Sequence, residues 1–162
     1  MVTTKIQIDQ YLAEYCIGKW GIEFQPPVRF PDWTELYVKI HDLTQKRPVD
    51  ASVDSGNLEI IIPNRRADTE QPIRKNPDVY NYLSVRSVKN IQKQIRAMMR
   101  MEMHEFMIGN KLDNGVDYID SAHEFKCKYG IVSITDDALI KDYYRWRENI
   151  RQRKKRGYTK KN

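Results

Sequence analysis

The chain has 162 residues, 40% of them hydrophobic and 31% charged, enough for one domain to bury a core without staples. Its two cysteines, Cys16 and Cys127, form no CxxC pair, which excludes a zinc ribbon or finger and makes each an expected small buried hydrophobe; no apolar run reaches membrane-spanning length, and residues 1–7 hold no apolar signal core, so a cytoplasmic chain without a membrane partner is expected. The net charge is +6, but residues 141–162 carry ten Lys or Arg against two acids, +8, while the other 140 residues carry 18 against 20, −2; a near-neutral body with a cationic end points to a polyanion, nucleic acid before an anionic membrane surface.

In chain order, Asp9 is placed to cap a helix reaching about Lys19, with Tyr11, Leu12, Tyr15 and Cys16 at helical spacing. Gln25-Pro26-Pro27 reads as a connector. Asp32 before Trp33-Thr34-Glu35 resembles a capping box, and Leu36, Ile40 and Leu43 mark the face of a helix that ends before Arg47-Pro48. A polar loop, 50–56, leads to a strand over Asn57–Ile62 that Pro63 stops. Residues 64–76 show no periodicity, so Arg65, Arg66, Arg74 and Lys75 read as a solvated loop, with a second phosphate contact as the sharper alternative.

Pro77 fits the first position of a short helix through Tyr80 and Leu83. Ser84 or Ser87 caps the longest helix, to about Ile108, with Val88, Ile91, Ile95, Met98, Met99 and Phe106 as its buried face. Asp117 opens a helix bearing Ile119, Ala122, Phe125 and Tyr129, which Gly130 closes. Thr135 caps the last helix, with Asp136 and Asp137 in a first turn whose dipole favours acids. The expected fold is mostly α: five or six helices, one short strand or hairpin, a single helical domain over 1–150 and a basic, flexible tail over 151–162.

On the last helix, Leu139, Tyr143, Trp146 and Ile150 recur at i, i+4, i+7 and i+11, one apolar stripe that predicts a packed Trp146. Lys141, Tyr144, Arg145, Arg147 and Arg151 lie off it. An exposed helix of this kind fits a major groove, where Lys141, Arg145 or Arg147 would reach base edges. Arg153, Lys154, Lys155, Arg156, Lys160 and Lys161 would pair with phosphates, and Tyr144 would bond the backbone or stack on an unpaired base. The plainer alternative is a solvated helix end that complements its dipole.

The stretches Ala122–Ile131, Ile134–Leu139 and Tyr143–Arg147 resemble helix-turn-helix modules common in phage and mobile-element proteins. The segment 117–150 is accordingly the expected helix-turn-helix-like part. Over roughly Ile8 to Arg151 the chain also resembles a family of small proteins from phages and integrated elements of anaerobic gut bacteria, through Tyr11-Leu12-Ala13-Glu14-Tyr15, Gly56-Asn57-Leu58-Glu59-Ile60, Val79-Tyr80-Asn81-Tyr82-Leu83 and Lys141–Arg147. That resemblance implies a mobile-element setting, in the host cytoplasm or on the virion, and carries no activity to transfer.

Nothing reads as an active site. His41, His104 and His123 sit in no HExxH, no glycine-rich phosphate loop exists, and no GxSxG occurs; no catalytic residue, metal or cofactor is expected. The methionines Met98, Met99, Met101, Met103 and Met107 spread around the long helix, which suits either core packing or a homo-oligomer contact. The expected function is non-enzymatic nucleic-acid binding, DNA ahead of RNA, in regulation or replication of a mobile element. The alternative is a phage structural or assembly protein whose basic tail meets packaged DNA or an acidic partner subunit.

Overall fold

A computed structural model describes residues 1–65 and 74–158, with side chains through Lys154. Five helices and a two-stranded antiparallel sheet enclose one hydrophobic core: β1 (Thr3–Ile6), α1 (Gln10–Trp20), α2 (Glu35–Leu43), β2 (Leu58–Ile61), α3 (Val85–Asn114), α4 (Tyr118–Tyr129) and α5 (Asp136–Tyr158). The mostly helical expectation holds, and the expected strand is β2. Its partner β1 carries no sequence signal beyond a short alternation. Thr3 pairs with Ile61 and Ile6 with Leu58, which puts Thr4, Ile6, Leu58 and Ile60 on one buried face. Val28 adds a bridge along the free side of β2, donating to Glu59 O and accepting from Ile61 N.

α3 is the spine. Ser84 caps it, accepting from Ser87 N at 3.2 Å, and Ile91, Ile95, Met99, Met103 and Met107 are buried at four-residue spacing. Such a stripe drifts about 40° per step around a helix of 3.6 residues per turn. The buried face therefore turns along α3, meeting α1 and α2 first and α4 further on. This settles the methionines: Met99, Met103 and Met107 are core, while Met101 is exposed.

Several expectations need correction. α3 continues through Gly109 to Asn114, with Gly115 as its cap. The cap of α2 is Thr34, which accepts from Tyr37 N, rather than Asp32. Residues 77–79 form a turn instead of a short helix. Ile119 is exposed, and so is Cys127, whose thiol lies 3.5 Å from His123 Nε2. Cys16 is buried, as expected, which pushes its thiol pKa up. Lys75 is no solvated loop residue: its ammonium donates to the carbonyls of His41, Asp42 and Thr44, satisfying the C-terminal end of α2. The segment from Arg151 to Tyr158, expected as part of a basic tail, is the end of α5. Lys160 and Lys161 lie outside the described residues.

A half-buried polar knot ties α1, α3 and α4 together. Glu102 accepts from Lys19, from the Tyr129 hydroxyl, and from the Tyr15 hydroxyl at 2.6 Å. Burial works against the charge on Glu102, but these three donors outweigh it and hold the carboxyl below its ordinary range. α1 approaches α4 so closely that a Cβ on Gly18 would stand 2.0 Å from the Tyr129 carbonyl oxygen.

Candidate nucleic-acid interface

α5 begins as the sequence predicts. Thr135 Oγ1 accepts from Ala138 N at 3.2 Å, and Asp136 and Asp137 fill the first turn. Leu139 and Tyr143 are buried, at 3% and 2% exposure, while Trp146 and Ile150 are half-buried. The Tyr143 ring meets Tyr118 of α4 at 4.9 Å and His104 of α3 at 5.6 Å, so α5 is clamped between both helices. The expected stripe is therefore the packing face, loosening toward its C-terminal end.

The preceding turn is fixed by a contact the sequence gives no sign of. Glu14 of α1 accepts from Val132 N at 2.8 Å, Ser133 N at 3.0 Å and Ser133 Oγ at 2.9 Å. Burial opposes its charge, but the Ser133 and Val132 donors prevail and lower its pKa.

The predicted contact residues divide into two that already have charge or ring partners, Lys141 and Arg147, then Tyr144, and a third group of free cations. Lys141 is exposed but pairs with Asp137 at 2.7 Å, one turn back. Arg147 is half-buried: its guanidinium lies 5.5 Å from the Tyr118 ring and 5.6 Å from the Tyr143 ring, and donates to the Tyr118 hydroxyl at 3.4 Å. It holds α5 to α4. Tyr144 is half exposed, edge-on to Tyr118. The third group is free: Arg145, Arg151, Arg153 and Lys154 are exposed and have no ion pair among the described residues. Lys155 and Arg156 continue the same helix, their side chains lying outside the described residues.

This distribution departs from a helix-turn-helix recognition helix, whose N-terminal residues contact base edges. Here that end carries Asp136, paired with Lys126 at 2.9 Å and His123 at 3.4 Å, and Asp137. The free cations sit toward the opposite end.

Two grooves flank Trp146. One, of about 550 Å³, runs between α3 and α5 and is lined by Arg100, Met101, His104, Asp142, Arg145 and Asn149. The other, of about 330 Å³, lies between the end of α3, Tyr118 and Arg147. On the wall of the first, Asp142 bonds Arg100 and stands 3.2 Å from His104 Nε2. The His104 ring lies 4.5 Å from the Trp146 ring, tilted by 32°. Burial, reinforced by the Arg100 charge, lowers its pKa to about 4, so it is neutral at physiological pH. The sequence offers Arg100, His104 and Asp142 only as separate residues, since nothing in it shows where α5 crosses α3.

Among the described residues, no group of three or more His, Cys, Asp or Glu is placed to hold a metal ion, and no helix is long and apolar enough to cross a membrane. No family model, curated protein or solved structure matches this chain.

Proposed function

We propose that the protein is a non-enzymatic nucleic-acid-binding protein of a phage or mobile element, one that grips duplex DNA by its phosphates through the C-terminal half of α5. The observation that carries this is the polarity of α5. Asp136 and Asp137 lie at one end and are neutralised by pairing, while Arg151, Arg153 and Lys154, about 25 Å along the axis, are exposed and unpaired among the described residues.

Duplex is favoured over a single strand because binders of single strands interleave cations with several stacking rings, whereas Tyr144 is the one exposed aromatic on the described part of α5, and it leans on Tyr118. Phosphate contact is favoured over base readout because, of the residues expected at base edges, Arg147 is engaged with two tyrosine rings and Lys141 with Asp137, which leaves Arg145 alone. The same feature supports a second reading, an assembly protein that holds packaged DNA without sequence preference. A large oligomer in light scattering would favour that reading over a regulator.

The test is fluorescence anisotropy of a labelled duplex across a salt series. Each phosphate contact contributes about 0.9 to the slope of log affinity against log salt. The variant Arg151→Ala/Arg153→Ala/Lys154→Ala should lower that slope by up to about 2.7 and weaken all sequences alike. A wild-type protein that shows no salt-dependent binding to duplex overturns the reading.

A further inference from the structure

α3 carries charge that the grip of α5 leaves unused. Arg86, Lys89 and Lys93 are exposed, and none has an ion pair or side-chain hydrogen bond among the described residues. At 100° per residue these three, Arg100 and His104 fall within a sector of about 60° on one side of the helix. The acids of α3, namely Glu102, Glu105 and Asp113, all lie outside that sector. Within it, α5 covers the C-terminal part, where Asp142 bonds Arg100 and His104. From Arg86 to Lys93 no described element covers it, while Ile91, between them, and Ile95, just beyond, are buried in the core.

The stripe is therefore continuous with the groove that Arg100 and Arg145 line. The rise from Arg86 to Arg100 is about 21 Å, close to six base-pair steps at 3.4 Å each. An exposed helix usually alternates the signs of its charges and gains from pairs at i, i+4. On α3 itself this face has bases only, with Asn90 and Ala97 as neutral neighbours; Asp142 of α5 pairs with Arg100, whereas Arg86, Lys89 and Lys93 have no acid paired with them among the described residues, so an external anion would relieve their mutual repulsion.

We infer that Arg86, Lys89 and Lys93 form a second phosphate-binding surface, engaging the backbone of the same duplex that α5 grips, with the groove at Arg145 between the two contacts. The inference rests on the reading of α5 and adds to it a second site on another helix. A duplex seated on both surfaces is held at two points, which sets its direction across the protein. A grip by α5 alone would leave it free to swivel.

The experiment compares wild type, Arg86→Ala/Lys89→Ala/Lys93→Ala, and the α5 triple variant on one labelled duplex across salt. A charge-keeping Lys89→Arg/Lys93→Arg control accompanies them, and thermal unfolding verifies each fold. The α3 triple variant should lose up to about 2.7 units of salt slope on its own. In a protein carrying both sets of substitutions the two losses should add, and the arginine control should bind as wild type does. If wild type and the α5 variant behave as proposed but the α3 variant keeps wild-type affinity and slope, the second surface is refuted and the α5 grip stands. If wild type does not bind duplex, the reading of α5 fails as well. A loss of slope nearer 0.7 per residue, seen only on a single strand, would refute the duplex assignment.

Discussion

Trp146→Ala tests how α5 is held. Large-to-small substitutions in a closed core cost about 3–5 kcal/mol for an aromatic, partly because a cavity is left behind. Trp146 differs in one respect: it is half-buried and stands between two grooves of about 550 and 330 Å³ that are open to water. Removing the ring merges them and leaves no empty cavity, so the transfer term dominates. About two-thirds of a buried aromatic's area, on the order of 100 Å², is at stake, worth about 2.5 kcal/mol. The tilted ring contact with His104 at 4.5 Å adds about 0.5 kcal/mol or more. The expected loss is about 3 kcal/mol, read from urea unfolding at pH 7. The same substitution uncovers His104, so its pKa should rise from about 4 toward 6.5, followed by proton NMR of the ring. An unchanged unfolding midpoint would mean that Tyr143 and Leu139 hold α5 alone. An unmoved His104 would show that burial under Trp146 is not what keeps it neutral.

Two further outcomes follow from the packing. The unfolded chain protonates His104 near its ordinary 6.5 and the folded chain only near 4, so the unfolded state holds more protons between these values; stability is full above pH 6.5 and is lost as pH falls toward 4, by about 2 kcal/mol at pH 5 relative to pH 7, and a His104→Gln protein whose urea midpoint falls just as steeply would refute that assignment. Gly18→Ala places a methyl 2.0 Å from the Tyr129 carbonyl oxygen and 2.6 Å from its carbon; because backbone rather than a flexible side chain must give way, a loss of roughly 1–3 kcal/mol is expected in thermal unfolding, and a tolerated alanine would mean that α1 and α4 are not tightly apposed.

What the sequence made legible was local. Periodicity located α1, α2, α3, α4 and α5 because each buries a stripe, and Gly130 marked the end of α4 because its φ of 64° suits a residue without a side chain. The errors come from side chains with two possible uses. Asp9 and Asp117 look like caps, and both stand at the N-cap, yet neither makes a cap hydrogen bond: Asp9 pairs with Arg96 at 2.5 Å and Asp117 with Lys111 at 2.8 Å. Lys75 looks solvated until its three carbonyl partners on another element are seen. β1 is not legible in the sequence because four residues gain strand character only by pairing with β2 across more than fifty residues of chain. For the candidate site, the stripe of α5 told which residues pack. It did not show that Arg147 and Lys141 already have partners, nor that α3 presents an acid-free face beside Arg145.

The end of α5 itself bears on why a polyanion suits this surface. Beyond Ile150 the described side chains, Arg151 to Lys154, are exposed, and Gln152 bonds Glu148 one turn back at 3.3 Å. Arg147 and Arg151, and Arg151 and Lys154, stand at i, i+4 and i, i+3, where like charges destabilise a helix by a few tenths of a kcal/mol per pair. The helix dipole returns part of this, since cations near a C-terminal end are favoured. A row of phosphates would remove the repulsion outright and leave the dipole contribution in place. On the proposed reading, binding and helical order at the end of α5 therefore reinforce each other. The anchoring half, fixed by Tyr143 and the Glu14-clamped turn, does not depend on the ligand. The same holds for α3, whose Arg86, Lys89 and Lys93 ride on a helix held by Ile91 and Ile95 in the core. One surface is rigid before contact and the other is completed by it, a division that lets a small domain seat a duplex on the first while the second closes on its backbone.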